Sequence, residues 1–394
     1  MKGVFFLDNY LYGGDVKYFV KLINPFLKKT QNYILCNQLD NYSQKIFKEI
    51  KNQSKIIINK KNKIKNYAVD HKDYIFMRIL MKIFYFFIPF RLIYHICAFS
   101  LFINKTRPDF IVSMNGGYPG SLKCLSIILA AKLFGIRNYL VIASIPAKRS
   151  LKTFYDIILD FLICSSVKLV IINFKNQLDL FKKLRFFKKT KLLQINNTLK
   201  INKQKFKKIN FKKNDIYLGV TARLDKQKKI EKLIKIIKLL KNQGKNFYLN
   251  IIGDGPEKKN LIDLSKKLDV KKNINFKGFV QNNKIQKHLK EIDIFIFPSE
   301  DEGLPFSILE AVNYGLPVIA ADSGGISENF KNTKEMFILK NTSLQKYINS
   351  IHKFVNNPKL AQKMRINSFK KLKKFYDLKK NQNMLFDEIK KSND

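Results

Sequence analysis

Arginine is scarce in this chain. Only eight of its 75 basic residues are arginine, and they stand against 30 acidic residues, so the formal net charge is +45. A surface that reads nucleic acid needs guanidinium forks for phosphates and base edges. The shortage of arginine therefore argues against nucleic acid as a partner. Diffuse lysine charge suits an anionic membrane surface instead, at on the order of 1 kcal/mol per lysine near the headgroups. A drift of composition towards Lys, Asn and Ile would give the same excess, and composition alone leaves both readings open.

Cysteine is also sparse. Cys36, Cys97, Cys124 and Cys164 show no CxxC spacing and lie in apolar contexts. They read as buried thiols of a reducing compartment, not as a disulfide framework. Four histidines, His71, His95, His288 and His352, are scattered, and no DxD carboxylate pair stands near a strand end. No metal site is expected. The opening "MKGVFFLDNYLYGGD" has four apolar residues before Asp8, too few for a secretory leader, so a cytoplasmic protein is expected.

A length of 394 residues and an apolar fraction of 46% point to two globular domains. The first half alternates apolar runs with amphipathic ones. "GVFFLDN", "NYILCN", "SKIIIN", "RPDFIVSMN", "NYLVIAS" and "KLVIIN" read as strands, and "DVKYFVKLINPFL" and "SLKCLSIILAAKLFG" as helices. The second half repeats the texture from "DIYLGVTARL" to "PVIAADSGG". The fold class is α/β, with two doubly wound, Rossmann-like domains. Residues 1–198 form the N-terminal domain, and the basic stretch 199–214 reads as a linker. Residues 215–370 form the C-terminal domain. From 343 onwards the chain reads as helix, broken near Asn357-Pro358, and 371–394 is expected to pack back towards the N-terminal domain.

Residues 74–103 are very apolar but carry Arg78, Lys82, Pro89, Arg91 and His95. Their longest charge-free run, Leu92 to Asn104, is thirteen residues, short of the roughly 20 that span a bilayer. Core helices broken at Pro89 and an interfacial helix holding a membrane surface both fit.

The chemistry concentrates in the second half, where strand ends carry glycines and charges. "GVTARLDKQKK" places Arg223 and Lys228 after a strand, a fork and a point charge suited to phosphate. "IIGDGPE" carries Gly253 and Gly255, and "FKGFV" carries Gly278 and Phe279; such glycines permit a tight turn or close approach to a ligand. The stretch "FPSEDEGLPFSILEAVNYGLPVIAADSGG" holds Glu300, Asp301, Glu302 and Glu310 with no lysine. Glu302 lies in the loop beyond a strand, and Gly303, Leu304, Pro305 and Phe306 lead into a helix whose first N–H groups can hold an anion. Glutamates so near a phosphate cradle suit hydroxyls, since two adjacent sugar hydroxyls offer two donors.

Glu302-Gly303-x-Pro305 with Glu310 eight positions on resembles the signature of family 4 (group 1) retaining glycosyltransferases of GT-B fold. "GVTARLDKQKKIEKLI", "IIGDGPEKKNL", "INFKGFV" and "GLPVIAADSGGISE" follow in that family's order. The resemblance is strong over residues 215–330 and looser over "YGGDVKYF" and "NGGYPG". It implies two domains facing a cleft and transfer of a sugar from a nucleotide sugar, with UDP as leaving group. Arg223 and Lys228 would hold the diphosphate, Glu302 the transferred sugar, and Glu310 the ribose. The backbone near Phe279 would face the base, and the Gly13-Gly14 loop would reach donor phosphates or acceptor. No cofactor and no metal are implied. The acceptor would be a lipid-linked saccharide or a surface-polysaccharide precursor, at the inner face of the membrane.

Two departures stand out. Many family members carry a His at the end of an N-terminal strand, whereas "NYLVIAS" runs into Ile145-Pro146; Asn115 is the candidate substitute. Lys229 stands where the family usually has glycine. A catalytically weak partner subunit of a glycosyltransferase complex is the alternative these departures allow.

Overall fold

The computed structural model describes the chain outside residues 9–13, 25, 30–31, 38–54, 60–87, 117, 144–153, 174–180, 182–189, 203–205, 207, 242, 282–283, 301, 324, 341 and 392–394. It divides into two compact units, Met1–Asn196 with Asn381–Asp394, and Asn197–Lys380.

The first unit is built on β1 (Gly3–Leu7), β2 (Asn32–Asn37), β3 (Lys55–Asn59), β4 (Phe110–Asn115), β5 (Arg137–Ile142), β6 (Leu169–Ile172) and β7 (Lys191–Gln194). Among the described residues these form one parallel sheet in the order β3-β2-β1-β4-β5-β6-β7. β1 and β6 are buried at every position. That is why they read as continuous apolar runs and not as alternation. Its helices include α1 (Gly14–Ile23), α2 (Ile88–Thr106), α3 (Leu122–Leu133) and α4 (Phe154–Cys164). Val4, Phe6, Ile111 and Leu140 of the strands pack with Ile103, Ile127 and Ile163 of α2, α3 and α4.

The second unit carries β8 (Asp215–Thr221), β9 (Asn246–Ile252), β10 (Ile274–Gly278), β11 (Ile294–Phe297), β12 (Val318–Ala321) and β13 (Phe337–Leu339). They form a parallel sheet in the order β10-β9-β8-β11-β12-β13. Its helices include α5 (Ile230–Leu240), α6 (Lys258–Lys267), α7 (Phe306–Asn313), α8 (Leu344–Asn356) and α9 (Pro358–Phe375), and α10 (Leu378–Lys391) follows. Alternate residues of β11 serve opposite faces, as strand geometry requires. Ile294 and Ile296 pack with α5, while Phe295 and Phe297 pack with α7. α5 buries Ile230, Leu233, Ile234, Ile237 and Leu240, the stripe of an amphipathic helix.

The structure differs from the sequence reading at several points. Residues 199–214 belong to the second unit: Phe211 lies in its core, and the Phe206 ring meets Phe369 edge-on at 4.7 Å. Lysine density hid these apolar anchors. The C-terminal helix breaks again at Tyr376-Asp377, because Leu199 pairs with this backbone there and the buried Tyr376 hydroxyl donates to Asn329 at 2.7 Å. Residues from Asn381 onwards pack with the first unit, where Gln382 donates to the Lys21 carbonyl at 2.6 Å. The short strands β7 and β13 were not foreseen. Pro89 lies in the first turn of α2, where its missing N–H breaks nothing, and residues 74–87 lie outside the described set. Cys97 is exposed on α2, contrary to the expectation of a buried thiol, whereas Cys124 is buried.

In each sheet the strand order reverses once, between β1 and β4 and between β8 and β11. Ligands of open α/β sheets bind beyond the carboxyl ends of the strands at such a reversal. In the second unit the loops after β8 and β11 stand at that reversal.

Candidate active site

The loop after β8 is fixed by its own backbone. Ala222 donates to Ile252 at 3.1 Å and Leu224 to Asp254 at 3.0 Å, tying it to the end of β9. Gly253 makes this contact possible. Its φ is +148°, and a β-carbon there would stand 1.8 Å from the Ala222 carbonyl oxygen. Gly255 is tight in the same way: a β-carbon there would stand 2.3 Å from the Leu224 carbonyl oxygen. Both glycines thus serve backbone-to-backbone approach, the turn side of the two uses open to them. Gly278, at φ +69°, closes β10 and accepts from the Gly253 N–H at 2.8 Å. Phe279 beside it is 65% exposed and is not a core residue.

Beyond Leu224, Asp225 organises the cations. Its carboxylate caps the 3-10 turn Lys226–Lys228 and takes the Arg223 Nε at 2.6 Å. Arg223 is therefore held at its own loop, with its side chain about half exposed. Lys228 reaches the loop after β11 and is ion-paired to Glu302. The Ser299 hydroxyl stands 3.2 Å from both the Glu302 carboxylate and the Gln227 carbonyl, a second link between the loops.

Gly303, Leu304 and Pro305 then lead into α7. Leu304 is buried in the core, and its carbonyl accepts from Asn197 at 2.6 Å. Gly325 presses on Gly303, where a β-carbon at 325 would stand 2.6 Å from the Gly303 backbone. Pro305 is the cap residue, and helix geometry begins at Phe306, one residue later than a proline in the first turn would place it. Pro305 itself makes no side-chain cap bond, and the positive dipole end of α7 at this point is an anion-holding feature. Glu310 is the fifth residue of α7 and is half-buried.

Glu300 is a hub. It is paired to Lys229 and to Lys232, the latter at 2.8 Å, and is bonded to the Thr342 hydroxyl. Those donors, Lys229 first, hold its carboxyl at about 2, well below the usual range. Asp225 and Ser299 were also missed. Asp225 three residues before Lys228 fits an N-cap, and that was the available signal. Asp301 lies outside the described residues.

In the first unit Gly13 lies outside the described residues and Gly14 opens α1. Asp8, just past β1, accepts from Ser121 at 2.5 Å. Asn115 ends the adjacent β4, 1% exposed, with neither side-chain amide atom hydrogen-bonded among the described residues. β5 stops at Ile142, and Ile145-Pro146 lie outside the described residues. His95 sits on α2, where burial and then Lys123 and Arg91 lower its pKa against the pull of Asp8.

Two doubly wound parallel sheets of this kind make the GT-B fold. Anabaena HepE, solved with UDP, superposes over 99% of this chain and 100% of its own, with a TM-score of 0.74 at 16% identity. A glycosyltransferase from Rickettsia africae covers 99% and 98%, with a TM-score of 0.74 at 15% identity. Residues 201–371 match the family described as glycosyl transferases group 1. Staphylococcus aureus CapJ is 36% identical over 118 residues, 29% of this chain and 30% of that protein. The Escherichia coli O-antigen biosynthesis glycosyltransferase WclY is 31% identical over 137 residues, 35% of this chain and 37% of that protein. The chain thus spans about a third of the length of these curated relatives.

Proposed function

We propose that the chain is a retaining glycosyltransferase. It moves a hexosyl or N-acetylhexosaminyl group from a UDP-sugar to a lipid-linked or surface-polysaccharide precursor. The observation that carries this reading is the Lys228–Glu302 pair, with Arg223 nearby in sequence, at the β8/β11 reversal before the start of α7. Cations and a helix end gathered where a carboxylate also stands suit a sugar diphosphate better than a bare anion. HepE was solved with UDP and with UDP-glucose, and WclY is named for O-antigen biosynthesis, which supports donor and acceptor class.

In this mechanism the bond from sugar C1 to the β-phosphate oxygen breaks and UDP leaves with the electron pair. Arg223, Lys228 and the start of α7 stabilise that developing charge, without a metal. The acceptor oxygen bonds to C1 on the face UDP leaves, and its proton passes to the departing phosphate oxygen. Such a route works without a histidine base. Glu302 holds hydroxyls of the sugar and Glu310 those of the ribose. Gly303 to Phe306 offer backbone N–H groups, the backbone at Gly278 and Phe279 faces the base, and Gly13-Gly14 reaches the donor phosphates or the acceptor.

The enzyme is proposed to work at the inner face of the cell membrane. Among the described residues no helix is long and apolar enough to cross a membrane. Release of UDP from a panel of UDP-sugars, with Glu302→Ala as control, tests the activity. Wild-type protein that neither binds UDP nor releases it would sink the reading. Binding without transfer would point to the weak partner subunit instead.

A further inference from the structure

Lys229 has a backbone that its side chain does not favour. Its φ and ψ are 51° and 37°, the left-handed region. That region suits glycine, because a β-carbon crowds the neighbouring carbonyl. The residue cannot relax out of it without cost to its surroundings. Its N–H closes the 3-10 turn on Lys226 at 3.2 Å, and its carbonyl accepts from Lys232 at 3.1 Å as α5 begins. Lys229 is thus the joint between the turn that carries Lys228 and the helix that follows.

The side chain shows what holds the joint. The Lys229 ammonium is paired to one Glu300 oxygen, and Lys232, in the first turn of α5, donates to the other at 2.8 Å. The Thr342 hydroxyl bonds the same Glu300 oxygen as Lys232 and stands 2.6 Å from the Lys232 ammonium. Both sides of the joint are therefore tied to one carboxylate. That carboxylate lies two residues before Glu302, the partner of Lys228.

We infer that Glu300 is a positioning residue of the donor site, tying down the left-handed Lys229 and thereby setting where Lys228 points. The inference rests on the UDP-sugar reading of that site. Glu300 itself touches no reacting atom. It supplies through a side chain what a glycine at 229 would supply through the backbone alone. Loosening the joint lets the turn relax towards an ordinary conformation, and the Lys228 ammonium then leaves the place set for it opposite Glu302.

The test separates backbone from charge. Lys229→Gly and Lys229→Ala both delete the ammonium, but only alanine keeps a β-carbon in the left-handed region. UDP affinity is measured by calorimetry for wild type, Lys229→Gly, Lys229→Ala, Glu300→Ala and Lys229→Gly/Glu300→Ala, with melting curves to confirm folding. Coupling through one shared contact predicts that Glu300→Ala and Lys229→Ala each weaken UDP binding about tenfold, while Lys229→Gly and the double variant stay within about twofold of wild type. Rescue by glycine is the readout a merely structural acid would not give. Glu300→Ala binding as wild type, or a double variant as weak as Glu300→Ala, overturns the inference. If Glu300→Ala does not fold, Lys229→Ala binding UDP as well as Lys229→Gly overturns it. Wild-type protein that binds no UDP overturns the donor-site reading, and the positioning role falls with it.

Discussion

Gly253 and Ala222 are in closer backbone contact than any side chain at 253 allows, since a β-carbon there would stand 1.8 Å from the Ala222 carbonyl oxygen. The loop after β8 rests on that contact, and the loop carries Arg223 and Lys228. Gly253→Ala must push the two backbones apart and hold an alanine at φ +148°. The expected cost is about 3 kcal/mol, near the upper end for a single strained substitution. Thermal melting reads the cost, and UDP affinity should fall with it. A variant that melts like wild type would mean that the β8 loop can move without penalty.

Lys228 and Arg223 are expected to fail differently. Lys228 is largely enclosed and paired to Glu302, so Lys228→Ala removes a donor and leaves a carboxylate unpaired at the site. Its kcat/KM should drop by about 100- to 1000-fold, the usual effect of deleting one charge-stabilising donor. Arg223 is anchored by Asp225 at 2.6 Å. Asp225→Ala should therefore imitate Arg223→Ala in donor KM, and also cost about 1 kcal/mol through the lost cap. Steady-state kinetics on the three variants decide it. Equal kcat/KM for Asp225→Ala and wild type would separate Arg223 from the donor.

Glu300 makes a prediction about acid. Lys229, then Lys232 and Thr342, hold its carboxyl at about 2 against an ordinary 4.5. A carboxylate depressed in the folded state stabilises that state fully above its unfolded value, and the contribution is lost as pH falls through the folded value. The stability gap between wild type and Glu300→Gln should be full above about 4.5 and shrink as pH falls towards about 2. Urea unfolding across that window measures it. A gap that does not change there would show that the three donors do not hold the ionised form.

The central strands and the glutamate-glycine loop were readable because each has a local cause. Buried parallel strands write themselves as apolar runs, and a strand end that needs a turn writes glycine. Edge strands such as β13, three residues long, have no run to show. The packed stretch 199–214 hid because its anchors, Phe206 and Phe211, sit among lysines and need Phe369 and the β8 core to explain them. The Glu300 hub was illegible for a related reason. Its partners Lys229 and Lys232 look like every other lysine of the chain, and Thr342 joins only when β13 and α8 bring it alongside. The glycine-shaped conformation of Lys229 was legible only as a departure from a family pattern, and its compensation needed coordinates.

The exposed face of α2 carries the membrane proposal to a direct test. Phe90, Ile93, Tyr94 and Leu101 repeat at helical spacing and are between 58% and 75% exposed. Arg91 and Lys105 lie on the same helix, which has no acidic residue. Apolar and aromatic groups that enter the interface while cations meet the headgroups would hold α2 on an anionic bilayer. Wild type should float with vesicles containing anionic lipid, and less with neutral ones. Ile93→Asp/Tyr94→Asp places two carboxylates on the stripe at positions outside the core cluster of the described residues, so folding should survive while flotation drops about tenfold or more. UDP affinity should be unchanged, because none of the residues assigned to the donor lies on α2. If the double variant floats as well as wild type, α2 is not the contact. If wild type floats with neither vesicle, the basic surface reflects composition and the acceptor must be met in solution.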